Sequence, residues 1–223
     1  MSLTRVRRFA FLPRQNIMAP MIPFHFGAVI LAAGASTRMG RPKQLLRVGD
    51  RTLIRRTVDT VLASPAWPVA VVLGAHADAV RTEIARLPVL AVENREWAEG
   101  LASSIRTGVR ILDAFSLSLD AAILVLADQP RLSADSLRRL AEAHLREGRS
   151  IVAAHYSGHA GPPALFARRH FAELMALSGA DGARPLFTRH AGELATVPLP
   201  ELATDLDTPA DYQAFLALSP ATP

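Results

Sequence analysis

Cysteine is absent from the 223 residues. That excludes disulfides and thiolate metal sites, and it fits a reducing, cytoplasmic setting without requiring one. Lysine is almost as scarce. Of 25 Lys and Arg residues, Lys43 alone is a lysine. Aromatic residues make up 6% of the chain and hydrophobic residues 50%, so a core must be built from Ala, Leu and Val. No apolar run is long enough to span a membrane. Residues 1–23 carry Arg and scattered Pro in place of the hydrophobic stretch and cleavage site of a secretory signal. Carboxylates are missing ahead of Asp50. Arg5, Arg7, Arg8 and Arg14 therefore stand unopposed before Gly27 and account for most of the net charge of +5. The remainder is close to neutral, which gives no indication of nucleic-acid binding. Residues 1–23 are expected to form a disordered extension, and 24–223 a single domain.

From Gly27 onward the pattern is regular. "GAVILAA" is a short apolar run of the kind a strand buried on both faces requires. "PVAVVLG", "VLAVEN", "AAILVLAD" and "SIVAAHY" repeat it, and "ELATVPL" is a further candidate. Between them, apolar spacing predicts helices over 52–63, 78–87 and 103–115. "SADSLRRLAEAHLREG" predicts another, with Ser133 as N-cap and Gly148 beyond its end. Shorter helices are expected over 168–177, 182–190 and 209–218. Alternating strands and helices imply an α/β fold with a mainly parallel sheet. The segment 156–200 interrupts the alternation and is expected to form a small antiparallel subregion capping one sheet edge.

The lone lysine stands in "VILAAGASTRMGRPKQLL", which leaves the first strand at its carboxyl end. Ligands bind at that end in open α/β sheets. Gly34 and Gly40 permit tight turns, and the small residues Ala32, Ala33, Ala35 and Ser36 leave backbone N–H groups uncovered. With Arg38 and Lys43 these groups would surround a polyphosphate. An ammonium is a compact point charge, whereas a guanidinium is a wide planar fork. The loop matches neither GxxxxGK[ST] nor GxGxxG, so the general phosphate-loop patterns do not account for it.

"LAAGASTRMGRPKQLL" resembles the signature LAAGxSxRMGxxKxLL of the MobA-like nucleotidyltransferases. The likeness continues in order through "VVLGAHAD", "ENREWAEGLASSIRTGV", "LADQP" and "DLDTPADY", covering 27–217. The resemblance implies a Rossmann-like fold of the nucleotide-diphospho-sugar transferase type and nucleotidyl transfer to a phosphorylated acceptor such as molybdopterin. Carried over position by position, it implies that Leu31, Ala32, Ala33 and Gly34 contact the base and sugar. Ser36, Arg38, Met39, Gly40 and Lys43 would hold the triphosphate, and Gly74, Asn94 and Ser104 would line the base and ribose region. Asp128 and Asp207 would hold Mg²⁺, with Asp205 nearby as a weaker candidate. Lys43, Arg38 and Asp128 would carry the catalysis. "LAAG" resembles the cytidylyl branch more than "LAGG" of the guanylyl branch, which points to CTP. The chain departs from the family at Gly161-Pro162-Pro163, where "GHP" is frequent, and at Gly179–Arg184, where "GDxGAR" is frequent. Both departures fall on the acceptor side.

Residue chemistry alone leaves both carboxylates with two readings: a metal ligand, or, for Asp128, a turn residue before Gln129-Pro130 and, for Asp207, a cap on the helix beginning at Pro209. Asp128 ends the buried run 121–127, where a charge is tolerated only if it faces the cleft. Asp207 precedes Thr208-Pro209, and Thr208 is the better helix cap, which leaves Asp207 free. The seven histidines include no HExxH pair and no dense cluster along the chain. His155, His159 and His170 fall near the acceptor segment, with ordinary structural roles expected. Trp97 is expected to pack under the Asn94–Ser104 loop. No nucleophile elbow is present. Other readings of the same pattern are a nucleotide-binding chaperone delivering molybdenum cofactor to a molybdoenzyme partner, and a sugar- or polyol-phosphate nucleotidyltransferase.

Overall fold

The first strand, β1 (Phe26–Ala32), is buried at every position and lies near the middle of a seven-stranded sheet. The computed structural model describes residues 24–218. The expected N-terminal extension lies outside them. After β1 come a two-stranded hairpin, β2 (Arg47–Val48) and β3 (Arg51–Thr52), then α1 (Leu53–Leu62), β4 (Val69–Leu73), α2 (Ala77–Ile84) and β5 (Leu90–Glu93). There follow α3 (Leu101–Phe115), β6 (Ala121–Leu126), α4 (Ala134–Glu147), β7 (Ile151–Tyr156) and β8 (His159–Ala167). The described chain closes with α5 (Phe171–Met175), α6 (Arg184–Arg189), β9 (Leu194–Pro198) and α7 (Pro209–Leu218).

The sheet order is β5-β4-β1-β6-β8-β7-β9. Every neighbouring pair is parallel except those made by β8, which runs against both β6 and β7. Alternation along the buried strands sorts side chains to two helical layers. Ala28, Ile30, Val71 and Ile123 meet α1, α2 and α4 on one face, in a cluster with Ile54, Val58, Ile84 and Leu137. Val29, Leu31, Val72 and Leu124 meet α3, α5 and α6 on the other, with Ile105, Val109, Phe171 and Leu186. The chain moves from β1 to β4 on one side and later returns to β6 on the other. The crevice above the carboxyl end of β1 is therefore the topological switch point.

Most expected elements are present within a residue or two of their limits. In α4, Ser133 Oγ accepts from Ser136 N at 3.1 Å, and Gly148 closes the helix at φ 64°. Two features differ from the sequence expectation. The hairpin β2–β3 is too short to show periodicity. The antiparallel element β8 is inserted in the sheet between β6 and β7 and does not cap an edge; the edge belongs to β9, parallel to β7. Pro162 and Pro163 hide β8 in the sequence, since an interior strand rarely tolerates proline. Here they fall at a register shift. Ala153 pairs with Ala164 and Ala154 with Gly161, so both prolines stand outside the ladder to β7.

Candidate functional site

The loop after β1 is shaped by its own side chains. Ser36 adopts φ 57° and Gly40 φ 70°, bracketing a single 3₁₀ turn, Thr37–Met39. At Gly40 that left-handed conformation is what glycine supplies without strain. Gln44, buried beneath the loop, donates to the carbonyls of Ala32 at 3.0 Å and Gly34 at 2.9 Å. Ser36 Oγ accepts from the backbone N–H of Lys43 at 3.1 Å and donates to Gln44 Oε1 at 3.3 Å. Met39 is buried with Leu46, Val48, Leu53, Leu206, Tyr212 and Phe215 in a third apolar cluster. Its side chain thus anchors the loop to the C-terminal segment and does not face a ligand. Gly74 is a close-approach glycine. A Cβ there would lie 2.4 Å from the carbonyl oxygen of Ala33, which accepts from Ala75 N at 3.1 Å.

Lys43 points from this loop into a group of carboxylates. Its ammonium pairs closely with Asp128, at the end of β6, and donates to Asp207 Oδ1 at 3.2 Å. Arg38 reaches Asp207 Oδ2 at 2.9 Å. The backbone ties the two acidic segments together, since Leu206 N donates to the Asp128 carbonyl at 3.3 Å. Burial alone would lower the Lys43 pKa, but the charges of Asp128 and Asp207 and their hydrogen bonds outweigh it and hold it above the usual lysine value. Asp205 is exposed and lines the second pocket. Partial burial, then the negative charges of Asp128 and Asp207, push its carboxyl up to about 6. Thr208 and Asp211 form a reciprocal cap at the start of α7: Thr208 N donates to Asp211 Oδ2 at 2.8 Å and Asp211 N to Thr208 Oγ1 at 3.2 Å. That frees Asp207, as its spacing implies.

The residues present fit a hard divalent cation. Asp128 Oδ1 is buried and has no hydrogen-bond partner in the protein, and such an oxygen is costly unless something binds it. Magnesium takes one or two carboxylates together with phosphate oxygens and water, which is what Asp128 and Asp207 offer. Asp205 is placed more toward the neighbouring pocket than toward this pair.

Two pockets meet over the carboxyl ends of β1 and β6. One, of about 300 Å³, is lined by Ala33, Gly34, Lys43, Trp97, Ser104 and Asp128 among others. The second, of about 250 Å³, holds Tyr156, His159, Asp181, Arg184 and Asp205. Leu31, Leu101 and Leu126 line both. A shallower hollow of about 360 Å³ around Asp120 and Arg168 lies at the amino end of β6, the wrong edge of the sheet for this chemistry. Of the residues singled out in the sequence, Leu31, Ala33, Gly34, Lys43, Ser104 and Asp128 line the first pocket. Ala32, Gly74 and Asn94 stand behind it. Asn94 Nδ2 donates to Ser103 Oγ at 2.8 Å and Ser104 Oγ at 3.1 Å, holding the start of α3. Trp97 is half-buried at the pocket wall and packs on the α3 side of the core. Sequence reasoning missed Gln44, the internal brace of the loop. It also missed Gln129 and Tyr156. Gln129 Nε2 donates to Tyr156 Oη at 3.1 Å and to the Pro162 carbonyl at 3.2 Å. Burial pushes the Tyr156 hydroxyl up to about 12, so it remains a donor, and it too donates to Pro162 O, at 2.9 Å. Neither residue stands in a motif, and only the fold brings them together.

A crevice of about 300 Å³ with one lysine and two carboxylates at a switch point suits a phosphate-bearing ligand but names no particular lineage. Residues 28–194 match the MobA-like NTP transferase domain. The chain belongs to that family. This MobA-like chain is a nucleotidyltransferase by family, and its fold matches that of solved relatives. It is 33% identical over 187 residues to the molybdenum cofactor guanylyltransferase of Rhodobacter capsulatus, covering 82% of this chain and 90% of that protein. It is 39% identical over 130 residues to the nicotine blue oxidoreductase of Paenarthrobacter nicotinovorans; that match takes in 58% of this chain and 61% of the relative. Among solved structures, the manganese complex of Rv0371C from Mycobacterium tuberculosis H37Rv superposes with a TM-score of 0.70 at 28% identity, covering 87% of this chain and 100% of that one. No described helix of this MobA-like chain is long and apolar enough to cross a membrane.

Proposed function

We propose that this chain moves CMP from CTP, with Mg²⁺, to a terminal phosphate of a molybdopterin-type acceptor. One observation carries the reading: Lys43 and Asp128, paired on the wall of the first pocket, are joined there by Asp207 from the segment whose Asp205 lines the second. In the reaction an acceptor phosphate oxygen attacks the α-phosphorus of the nucleotide, the bond to the β-phosphate oxygen breaks, and pyrophosphate leaves. The first pocket would hold the nucleotide against the Ala33–Ala35 backbone and Ser104. The second would hold the acceptor, with Arg184 available to its phosphate. Asp128 and Asp207 would hold the cation, which when bound neutralises phosphate charge. Lys43, released from the carboxylates, would meet charge on the transferring and leaving phosphates, and Arg38 would assist from the solvent side. No covalent intermediate is needed; positioning and charge neutralisation supply the rate.

The donor base is read from Ala33. Ala33 lines the first pocket at the position where the guanylyl branch usually has glycine, which favours the smaller pyrimidine base. The kinship to a guanylyltransferase favours GTP instead. A thermal-shift comparison separates them: CTP with Mg²⁺ should raise the melting temperature more than GTP does. An equal or larger rise with GTP would remove the cytidylyl assignment and leave the transferase reading standing.

A further inference from the structure

Away from the cleft, the described residues hold one further gathering of ligand-type side chains. The ligand atoms of His170, Glu173 and His190 all lie within 4.8 Å of one another. They form no cluster along the sequence because His190 stands 17 positions beyond Glu173. His170 ends the 3₁₀ turn that leads into α5, so Glu173 follows one turn later on the same side. His190 directly follows α6, and the two imidazoles meet edge to face at 4.7 Å between centroids.

The distances converge on one oxygen. Glu173 Oε1 lies 2.9 Å from His190 Nε2 and 3.4 Å from His170 Nδ1. Four ligands around zinc at roughly 2.0–2.1 Å stand about 3.3–3.4 Å from one another. Arg189 donates to Glu173 Oε2 at 2.9 Å, which steadies the carboxylate; His190 Nε2 also lies 3.0 Å from Oε2, so it faces both oxygens while His170 faces Oε1 alone. A relay behind His170 fixes its tautomer. Ser150 Oγ gives its one hydrogen to Glu193 Oε2 at 2.5 Å. Toward His170 Nε2, at 2.8 Å, the same oxygen can therefore only accept. The proton of the neutral ring sits on Nε2, and the lone pair of Nδ1 faces a carboxylate oxygen. Two acceptors aimed at each other are satisfied by a cation between them, either a metal ion or a second proton on the ring. The chain carboxylate–hydroxyl–imidazole also matches the outer support that metal-bound histidines have.

We propose that His170 Nδ1, His190 Nε2 and Glu173 Oε1 form a site for zinc or a similar transition-metal dication, with the fourth position open to water. Two imidazoles and one carboxylate suit zinc and disfavour magnesium. The His190 and Glu173 side chains are 21% and 31% exposed, so an ion can enter while His170 holds the buried side. The bound ion would tie α5 to the end of α6. That helix begins at Arg184 and carries Phe187, and both line the second pocket. The ion's role would be to fix that wall.

The test must set aside the carboxylates of the cleft. Chelator-stripped Asp128→Asn/Asp207→Asn protein is dialysed against Zn²⁺, and its circular dichroism is recorded. It should bind one Zn²⁺ per chain. Adding His190→Asn should weaken uptake by more than about tenfold, and Ser150→Ala, which removes no ligand, by about tenfold. Co²⁺ in the same double variant should give the visible absorption of a four-coordinate, histidine-ligated centre, a readout that holds even where His190→Asn fails to fold. Absence of that absorption, absence of Zn²⁺ uptake by the double variant, or unchanged affinity in folded His190→Asn would overturn the proposal.

Discussion

Lys43 is gripped by two carboxylates from distant parts of the chain, and this gives a reason for its being a lysine. An ammonium can turn from Asp128 to a phosphate on a flexible stem, and a guanidinium reaches neither in the same place. Displacing the charge by about 1 Å is worth on the order of 10²-fold in rate. Lys43→Arg should lower kcat at least about tenfold with little change in the melting temperature of the free protein. Lys43→Ala should do worse, because the charge itself is lost. Steady-state pyrophosphate release by the three proteins checks this, and wild-type turnover from the arginine variant would make the lysine a compositional accident. The same ion pairs imply an effect of opposite sign on metal binding. In the free protein the ammonium competes for the oxygens a cation needs, so Lys43→Met should bind Mn²⁺ more tightly than wild type without nucleotide. Titration followed by electron paramagnetic resonance measures it, and weaker binding would mean that the lysine helps to build the metal site instead of guarding it.

Between elements, close approach and capping decide the geometry. Gly74 lets the end of β4 come against the loop after β1, and Gly74→Ala would drive a methyl into the Ala33 carbonyl at 2.4 Å. Overpacking of this kind costs roughly 1–3 kcal/mol. Urea unfolding of Gly74→Ala should show that loss, and nucleotide affinity should fall with it because the displaced backbone is the pocket wall. Unchanged stability would mean that the loop moves aside at no cost. Legibility in the sequence followed the strength of local signals. The helix α4 was readable from Ser133, Gly148 and its apolar spacing. The strand β8 was not, because a register shift absorbs two prolines that argue against any interior strand. The cap of Thr208 on α7 was readable, but its partner Asp211, which completes the box, was not singled out.

Across the whole molecule, the doubly wound order places every motif of the sequence at one edge of one sheet. That is why the candidate site was legible so far: the first four motifs follow β1, β4, β5 and β6, which are neighbours in the sheet, and the fifth, which comes after the distant β9, is tied to Asp128 by Leu206 N. What no motif shows is the support behind the edge, such as Gln44 under the loop and Gln129 with Tyr156 under the second pocket, because those contacts depend on tertiary pairing. Met39 is the instructive reversal, a motif residue whose side chain serves the core. The central claim is transfer of a nucleoside monophosphate at the junction of the two pockets. Its most direct test follows CTP labelled at the α-phosphate, with Mg²⁺ and molybdopterin, in wild type and Asp128→Asn. The account predicts that label passes to the acceptor, that one pyrophosphate is released per label transferred, and that folded Asp128→Asn does neither. Label that stays on free nucleotide, release of orthophosphate in place of pyrophosphate, or full transfer by Asp128→Asn would contradict it.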